Sequence, residues 1–202
     1  MAIIGLSKPY IATYVNTSGT ITYSARTLLG KYTNLDLSLD TADENILYAD
    51  NGPAESDSQF SGGTVTVTTD DLLAAAMKTA LGLTESAIAT TVATTTPTPK
   101  WMVFDDSQAA PYFALGGIIK KKSGGVYKWV AFVLEKIKFK NPDLSIATQG
   151  DTIEWQTPEL EATIFRSDAS GHPWFRMSTE LDSEEDAIAV VEDYLKVTQQ
   201  GG

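Results

Sequence analysis

The chain has 202 residues, with 26 acidic and 15 basic side chains for a net charge of −11, one histidine and no cysteine. That length can bury about 70% of the unfolded surface without a covalent staple, and the missing cysteines exclude disulfides, thiolate nucleophiles and Cys-ligated zinc. A surplus of carboxylates disfavours non-specific attraction to nucleic acid phosphate, and chemistry that needs an imidazole has only His172 to use.

The pattern along the chain is mostly two-residue alternation, the period of a strand with unlike faces. The opening Met1-Ala2-Ile3-Ile4-Gly5-Leu6 lacks the basic and long apolar regions of a secretory signal, so use without export is expected. Leu35, Leu37 and Leu39 alternate with Asn34, Asp36 and Ser38. Residues 40–61 then read as a long loop between two strands, with Asp50-Asn51-Gly52-Pro53 as turn chemistry. Val65 and Val67 alternate with Thr64, Thr66 and Thr68 in the next strand.

The period changes at residues 70–81, where Leu72, Leu73, Ala76, Met77 and Ala80 give a helical stripe. Thr69 is the expected N-cap, Asp70 and Asp71 suit the positive helix end, and Gly82 suits the stop. Residues 90–99 form a threonine-rich connector ending Thr-Pro-Thr-Pro. The longest hairpin runs over residues 112–122 and 126–139, turned at Ser123-Gly124-Gly125. After a polar link at 141–150, Leu160, Ala162 and Ile164 alternate with Glu159, Glu161 and Thr163.

A second helix is expected from about residue 184 to 196. Ser183 and Asp186 imitate a capping box there, and Ile188, Val191 and Leu195 make the apolar face. Gly201-Gly202 reads as a frayed tail. No internal repeat and no run near the ~20 apolar residues of a membrane span occur. The fold class is mainly β, a β-sandwich or barrel-forming chain with one flanking helix, a long loop and a C-terminal helix, in a single domain over residues 1–202.

Catalytic templates fit poorly. Gly30-Lys31 is followed by Tyr32 and has Ala25 where a phosphate loop needs glycine. Gly116-Gly117 lies inside a strand pattern, where close packing or a bulge explains it. His172, with Ser167 or Ser170 and an aspartate, could imitate a triad, but no nucleophile elbow presents the serine, and a turn histidine is the plainer reading. The pairs Asp70-Asp71 and Glu184-Glu185-Asp186 sit where helix starts attract acids, and Asp105-Asp106 sits at a turn. A sugar-active enzyme built on such carboxylates is one alternative. A carbohydrate-binding or adhesive β-sandwich using Trp101, Trp129, Trp155 and Trp174 is another. An adventitious calcium site could form around Asp40, Asp43 and Glu44. No enzyme activity, cofactor or resident metal is expected.

Seven of the fifteen basic residues fall between positions 120 and 140, opposed there only by Glu135. Lys120, Lys121 and Lys122 lead this group. Such a patch serves as a solvated face that discourages edge pairing, as a nucleic acid surface, or as a dock for the acidic residues 180–186 of a neighbouring identical subunit.

Three stations carry a family resemblance. They are Leu47-Tyr48-Ala49-Asp50-Asn51-Gly52-Pro53-Ala54-Glu55, Ala110-Pro111-Tyr112-Phe113-Ala114-Leu115-Gly116 and Gly150-Asp151-Thr152-Ile153-Glu154-Trp155-Gln156-Thr157-Pro158. In this order they resemble the "Tyr-Ala-Asp-x-Gly-Pro" loop, the "Pro-Tyr-x-Ala-Leu-Gly" strand and the "Gln-Thr-Pro-x-Leu" strand of the major tail proteins of long, non-contractile-tailed bacteriophages. The resemblance runs from Gly5 to about Trp174. It does not cover the threonine-rich segment or the acidic C-terminal helix.

The resemblance implies a tail tube protein, a structural component of the virion tail assembled in the host cytoplasm. Six subunits make a ring, rings stack, and neighbouring sheets join into one barrel around a lumen. Implied partners are further copies of itself, a tape-measure protein, tail initiator and terminator proteins, and genomic DNA as transient cargo. It further implies that Tyr48, Asp50, Asn51, Gly52, Pro53 and Ala54 reach an adjacent subunit or ring. Lys120, Lys121 and Lys122 are expected at subunit contacts, with part of the surplus carboxylate on the lumen.

Overall fold

The computed structural model describes residues 2–41, 45–49, 52–57, 60–71, 74–88, 99–143, 148, 157–196 and 198–200. β1 (Ala2–Thr17) and β2 (Thr20–Leu28) form the first hairpin, an element that the alternation of the later strands does not announce. β3 (Tyr32–Thr41) and β6 (Phe60–Thr69) are the expected leucine and valine strands, paired antiparallel. Between them the excursion is not irregular. It holds a separate ribbon of β4 (Asn45–Ala49) and β5 (Gly52–Asp57).

After α1 (Ala74–Leu81), β7 (Thr84–Ala87) and β8 (Lys100–Val103) make a second small ribbon. The long hairpin is β9 (Phe113–Ser123) and β10 (Val126–Phe139), within a residue of its expected bounds. Gly124 and Gly125 turn it with φ of +56° and +85°, values that a side chain would oppose. The chain continues through β11 (Glu159–Phe165), β12 (Phe175–Met177), α2 (Glu184–Tyr194) and β13 (Thr198–Gln200).

One antiparallel sheet runs in the order β13-β2-β1-β9-β10-β11-β6-β3, with β12 added beside β10. It folds over itself, because residues from both halves share one core: Ile11, Phe113, Leu115 and Leu134 meet Val65, Val67, Leu160 and Ile164. Ala76, Ala80 and Leu81 of α1 join that core. On the opposite face of β2, β1, β9 and β10, α2 covers a second core of Tyr10, Ala12, Ile21, Ala114, Ile118 and Val133. Alternate residues of the central strands therefore enter different cores, which is why β9 and β10 read as nearly continuous apolar runs. Full burial of Phe113, Ile118 and Leu134 is worth about 1.5–3 kcal/mol for each side chain.

Gly116 and Gly117 are close-packing positions. A Cβ on Gly116 would lie 2.7 Å from Val191 Cγ1 of α2, and one on Gly117 would lie 2.6 Å from the Phe132 ring.

Helix boundaries differ in part from expectation. α1 begins at Ala74, four residues later than its stripe suggested, and Leu72 and Leu73 lie outside the described residues. Thr69 is not its cap. It ends β6, and its backbone N–H donates to Pro158 O at 3.2 Å. Asp70 accepts from the backbone N–H groups of Lys31 at 2.8 Å and Asp71 at 2.9 Å, so its carboxylate closes a turn instead of facing a helix dipole. Gly82, in the left-handed region, stops the helix as expected.

α2 starts where expected, with the Ser183 hydroxyl accepting from Asp186 N–H at 3.0 Å. It ends at Tyr194, two residues short of the expected end at 196, with Leu195 as its C-cap. Gly201-Gly202 lie outside the described residues, while β13 just before them pairs with β2.

Candidate assembly surface

The half-sheet of β3, β6 and β11 is two-faced by register. Leu35, Val67 and Leu160 form one cross-strand row, and Leu37, Val65 and Ala162 the next. On the other face the rows are Asn34-Thr68-Glu159, Asp36-Thr66-Glu161 and Ser38-Thr64-Thr163. Threonine suits this surface because its β-branched stem favours a strand while its hydroxyl tolerates water. The polar face carries Asp36, Asp40, Glu159 and Glu161, with Lys140 paired to Glu161.

β3 is the last strand of the sheet, and no described strand pairs with its outer edge. Leu37 and Leu39 remain 39% and 42% exposed there, although they point to the core side. An unpaired strand with exposed leucines is a template for another chain unless it is blocked.

The excursion leaves from this same edge strand. Tyr48 pairs with Pro53 and Ala49 with Gly52, while Asp50 and Asn51 lie outside the described residues. The first station of the resemblance, which includes Ala54, is thus the far end of a hairpin. The second station leads into β9. Most of the third, residues 150–156, lies outside the described residues, and its Pro158 carbonyl accepts from Thr69.

The lysine cluster is largely engaged within its own chain. Lys121 faces Glu180 at 3.8 Å, Lys128 pairs with Asp182, and Lys136 meets Asp168 at 2.7 Å. The acids named as a neighbour's dock therefore include two that this chain uses itself. They are held there because Leu181 exchanges both backbone hydrogen bonds with Trp129, at 2.8 and 3.0 Å. Lys120 lies over the Tyr127 ring at 4.7 Å and the Trp129 ring at 5.5 Å, and Lys122 over Tyr127 at 5.0 Å. Neither has an ion-pair partner among the described residues.

The other sequence candidates are dispersed. His172 is an exposed turn residue with φ of +45°, and its Nδ1 lies 3.1 Å from the backbone oxygen of Ser167, not from the hydroxyl. The Ser167 hydroxyl instead accepts from Ala169 N–H at 3.2 Å. Asp105 accepts from the Ser107 hydroxyl and N–H, and those bonds hold its carboxyl below the usual range.

The described tryptophans have separate uses. Trp174 stacks on Phe60 at 4.3 Å, Trp129 packs beside the α2-side core, and Trp101 is exposed. Trp155, Asp43 and Glu44 lie outside the described residues. No group of three or more potential metal ligands occurs among the described residues, and no described helix is long and apolar enough to cross a membrane.

One cluster went unread in the sequence. Glu135 is fully buried on the α2 side and accepts from Arg176 Nε and Tyr194 Oη, each at 2.5 Å, and from the Tyr23 hydroxyl. Burial, and then Glu135, push the Tyr23 hydroxyl far up from its ordinary pKa, so it donates as a phenol. The available signal was an acid on the face where Ala131 and Val133 alternate inward. Arg176, Tyr23 and Tyr194 are too far off in sequence to suggest its partners. No protein-family model matches this chain, and no curated protein matches it.

Proposed function

We propose that this protein is a structural subunit that assembles with copies of itself, as the tail tube protein of a long-tailed bacteriophage. The observation that carries the reading is the open edge of β3, bordered by a polar carboxylate-bearing face on one side and exposed leucines on the other.

Strand parity supports the same reading. The path β1-β9-β10-β11-β6-β3 has six strands, each antiparallel to the next, so β1 and β3 run in opposite directions. Copies that all point the same way can then join β3 to β1 without breaking the antiparallel alternation, and a head-to-tail joint of this kind makes a ring where its rotation closes. The rows of threonine and Glu159 on β6 and β11 suit a lumen that DNA crosses without being held, because they offer phosphate no cation. The β4–β5 ribbon gives a second projection for contact with an adjacent ring.

The test is negative-stain electron microscopy with sedimentation velocity on concentrated protein, alone and with tail initiator and tape-measure partners. Hexameric rings or tubes with a central channel are expected. A strict monomer under all of these conditions overturns the reading.

A further inference from the structure

We propose that the basic arm formed by residues 2–5, 120–123 and 126–129 is the seat for strand β3 of a second copy, bringing that copy's Asp36 and Asp40 to Lys120 and Lys122. The inference rests on the self-assembly reading and deepens it by naming the surface that receives the open edge.

The arm has a free edge of its own. β2 begins to pair with β1 at Tyr10, so residues 2–8 of β1 have only β9 as a described partner. Beside this edge lies a cleft of about 660 Å³, with Leu6, Ser7 and Lys8 on one wall and Lys31 and Tyr32 at the start of β3 on the other. Within one chain the folded sheet therefore brings the start of β1 near the end strand β3 without pairing them. An incoming β3 from a copy pointing the same way runs antiparallel to β1, which continues the pattern of the sheet.

Both faces of the joint match. Ile3 pairs with Lys121 on the core side of the sheet and is 67% exposed, and Leu37 and Leu39 are exposed on that same side of β3. Joining the edges covers all three. On the opposite face stand Lys120 and Lys122 in the arm and Asp36 and Asp40 in β3. Lys120 pairs with Gly5, and Lys122 with Ala2, so β1 puts almost nothing between those lysines and the incoming strand. The distance from β9 across β1 to the new strand is two strand spacings, about 10 Å, which a lysine and an aspartate reaching from opposite sides can bridge.

Charge selects a copy of this chain as the occupant. Lys121 and Lys128 are satisfied by Glu180 and Asp182, whereas Lys120, Lys122, Asp36 and Asp40 have no ion-pair partner among the described residues. The cations stand on β9 behind the exposed start of β1 and the anions on the end strand β3, an arrangement that a head-to-tail contact neutralises at every joint.

The test compares wild type with Lys120→Glu/Lys122→Glu, with Asp36→Lys/Asp40→Lys, and with all four substitutions together. Assembly is followed by sedimentation velocity and electron microscopy, and folding by circular dichroism melts. Each pair variant should melt like wild type and associate at least about tenfold more weakly, and the fourfold swap should restore association. Raising ionic strength to about 1 M, where the Debye length is about 3 Å, should weaken wild type and the swap alike. Wild type that never associates overturns both this docking and the self-assembly reading. Wild type that associates while the pair variants do so equally, or while the swap stays dispersed, overturns the docking alone.

Discussion

The middle stretches of β1, β9 and β10 are buried on both faces, and the two faces are held by different physics. The core shared with α1 and the β11-β6-β3 half is apolar throughout, so its stability is a matter of area and fit. The core under α2 mixes alanines and tyrosines with a few aliphatic side chains around one carboxylate, and much of its hold comes from directed bonds to Glu135. A polar cluster of this kind orients its partners more than it glues them, because desolvation offsets most of the attraction. The lesson is that the half-sheet with the open edge is carried on a packed apolar core, while the C-terminal helix is aimed by a network.

The largest effect should come from breaking that network. Glu135→Ala removes the buried carboxylate that accepts from the Tyr23 and Tyr194 hydroxyls and should cost about 3–5 kcal/mol in urea unfolding. Leu134→Ala, one residue away in the apolar core, should cost about 2–5 kcal/mol from lost contacts and the cavity left behind. The two differ in coupling. Glu135→Ala with Tyr194→Phe should cost clearly less than the sum of its parts, whereas Leu134→Ala with Tyr194→Phe should be additive. Additivity in both pairs would erase the contrast between the cores.

Next in size is the contact that lets α2 approach the sheet. Gly116→Ala drives a methyl group into Val191 and should cost about 1–3 kcal/mol. Val191→Ala in the same chain should recover part of that loss if the clash is the cause, as thermal melts of the four proteins would report.

The smallest effect is at the rim of the α2-side core. Lys136 above all, with Tyr14 and Asn16, holds the Asp168 carboxyl below the usual range against the opposing effect of burial. A depressed folded-state pKa adds stability that is fully present above the unfolded value, about 3.9, and is lost as pH falls through the folded value. Unfolding measured from pH 6 downward should therefore show a shallower acid loss in Asp168→Asn than in wild type. An unchanged acid limb would remove Asp168 from the network's support.

What could be read in advance follows from how local each signal is. The β9–β10 hairpin was legible because two glycines mark its turn and β-branched residues flank it. The helix α2 was legible because Ser183 and the spacing of Val191 and Leu195 are contained within one segment. α1 was overextended because Asp70 and Asp71 imitate a helix start, while Lys31, 39 residues away from Asp70, uses that carboxylate in a turn. The ribbon inside residues 40–61 was hidden because its one short apolar run, in β4, carries no alternation and β5 is polar.

At the candidate surface, the lysine cluster was visible as composition, but its division into satisfied and unpaired members was not. That division depends on Glu180 and Asp182 arriving beside β10 through the Leu181–Trp129 bridge, a contact that no spacing rule contains. The two-faced register of β3 was legible in alternation alone. That it lies at the end of the sheet was not.

The carboxylate of Glu135 also sets an order of events during synthesis. Its donors come from β2, β12 and α2, and Tyr194 follows it by 59 residues. At ribosomal rates of about 5–20 residues per second, the growing chain carries Glu135 for roughly 3–12 s before that last donor is made. During that interval β2, β9 and β10 can already be paired, with the charge still facing water. The α2-side core can close only behind that helix, so a segment made well after the first hairpin completes a structure the hairpin began.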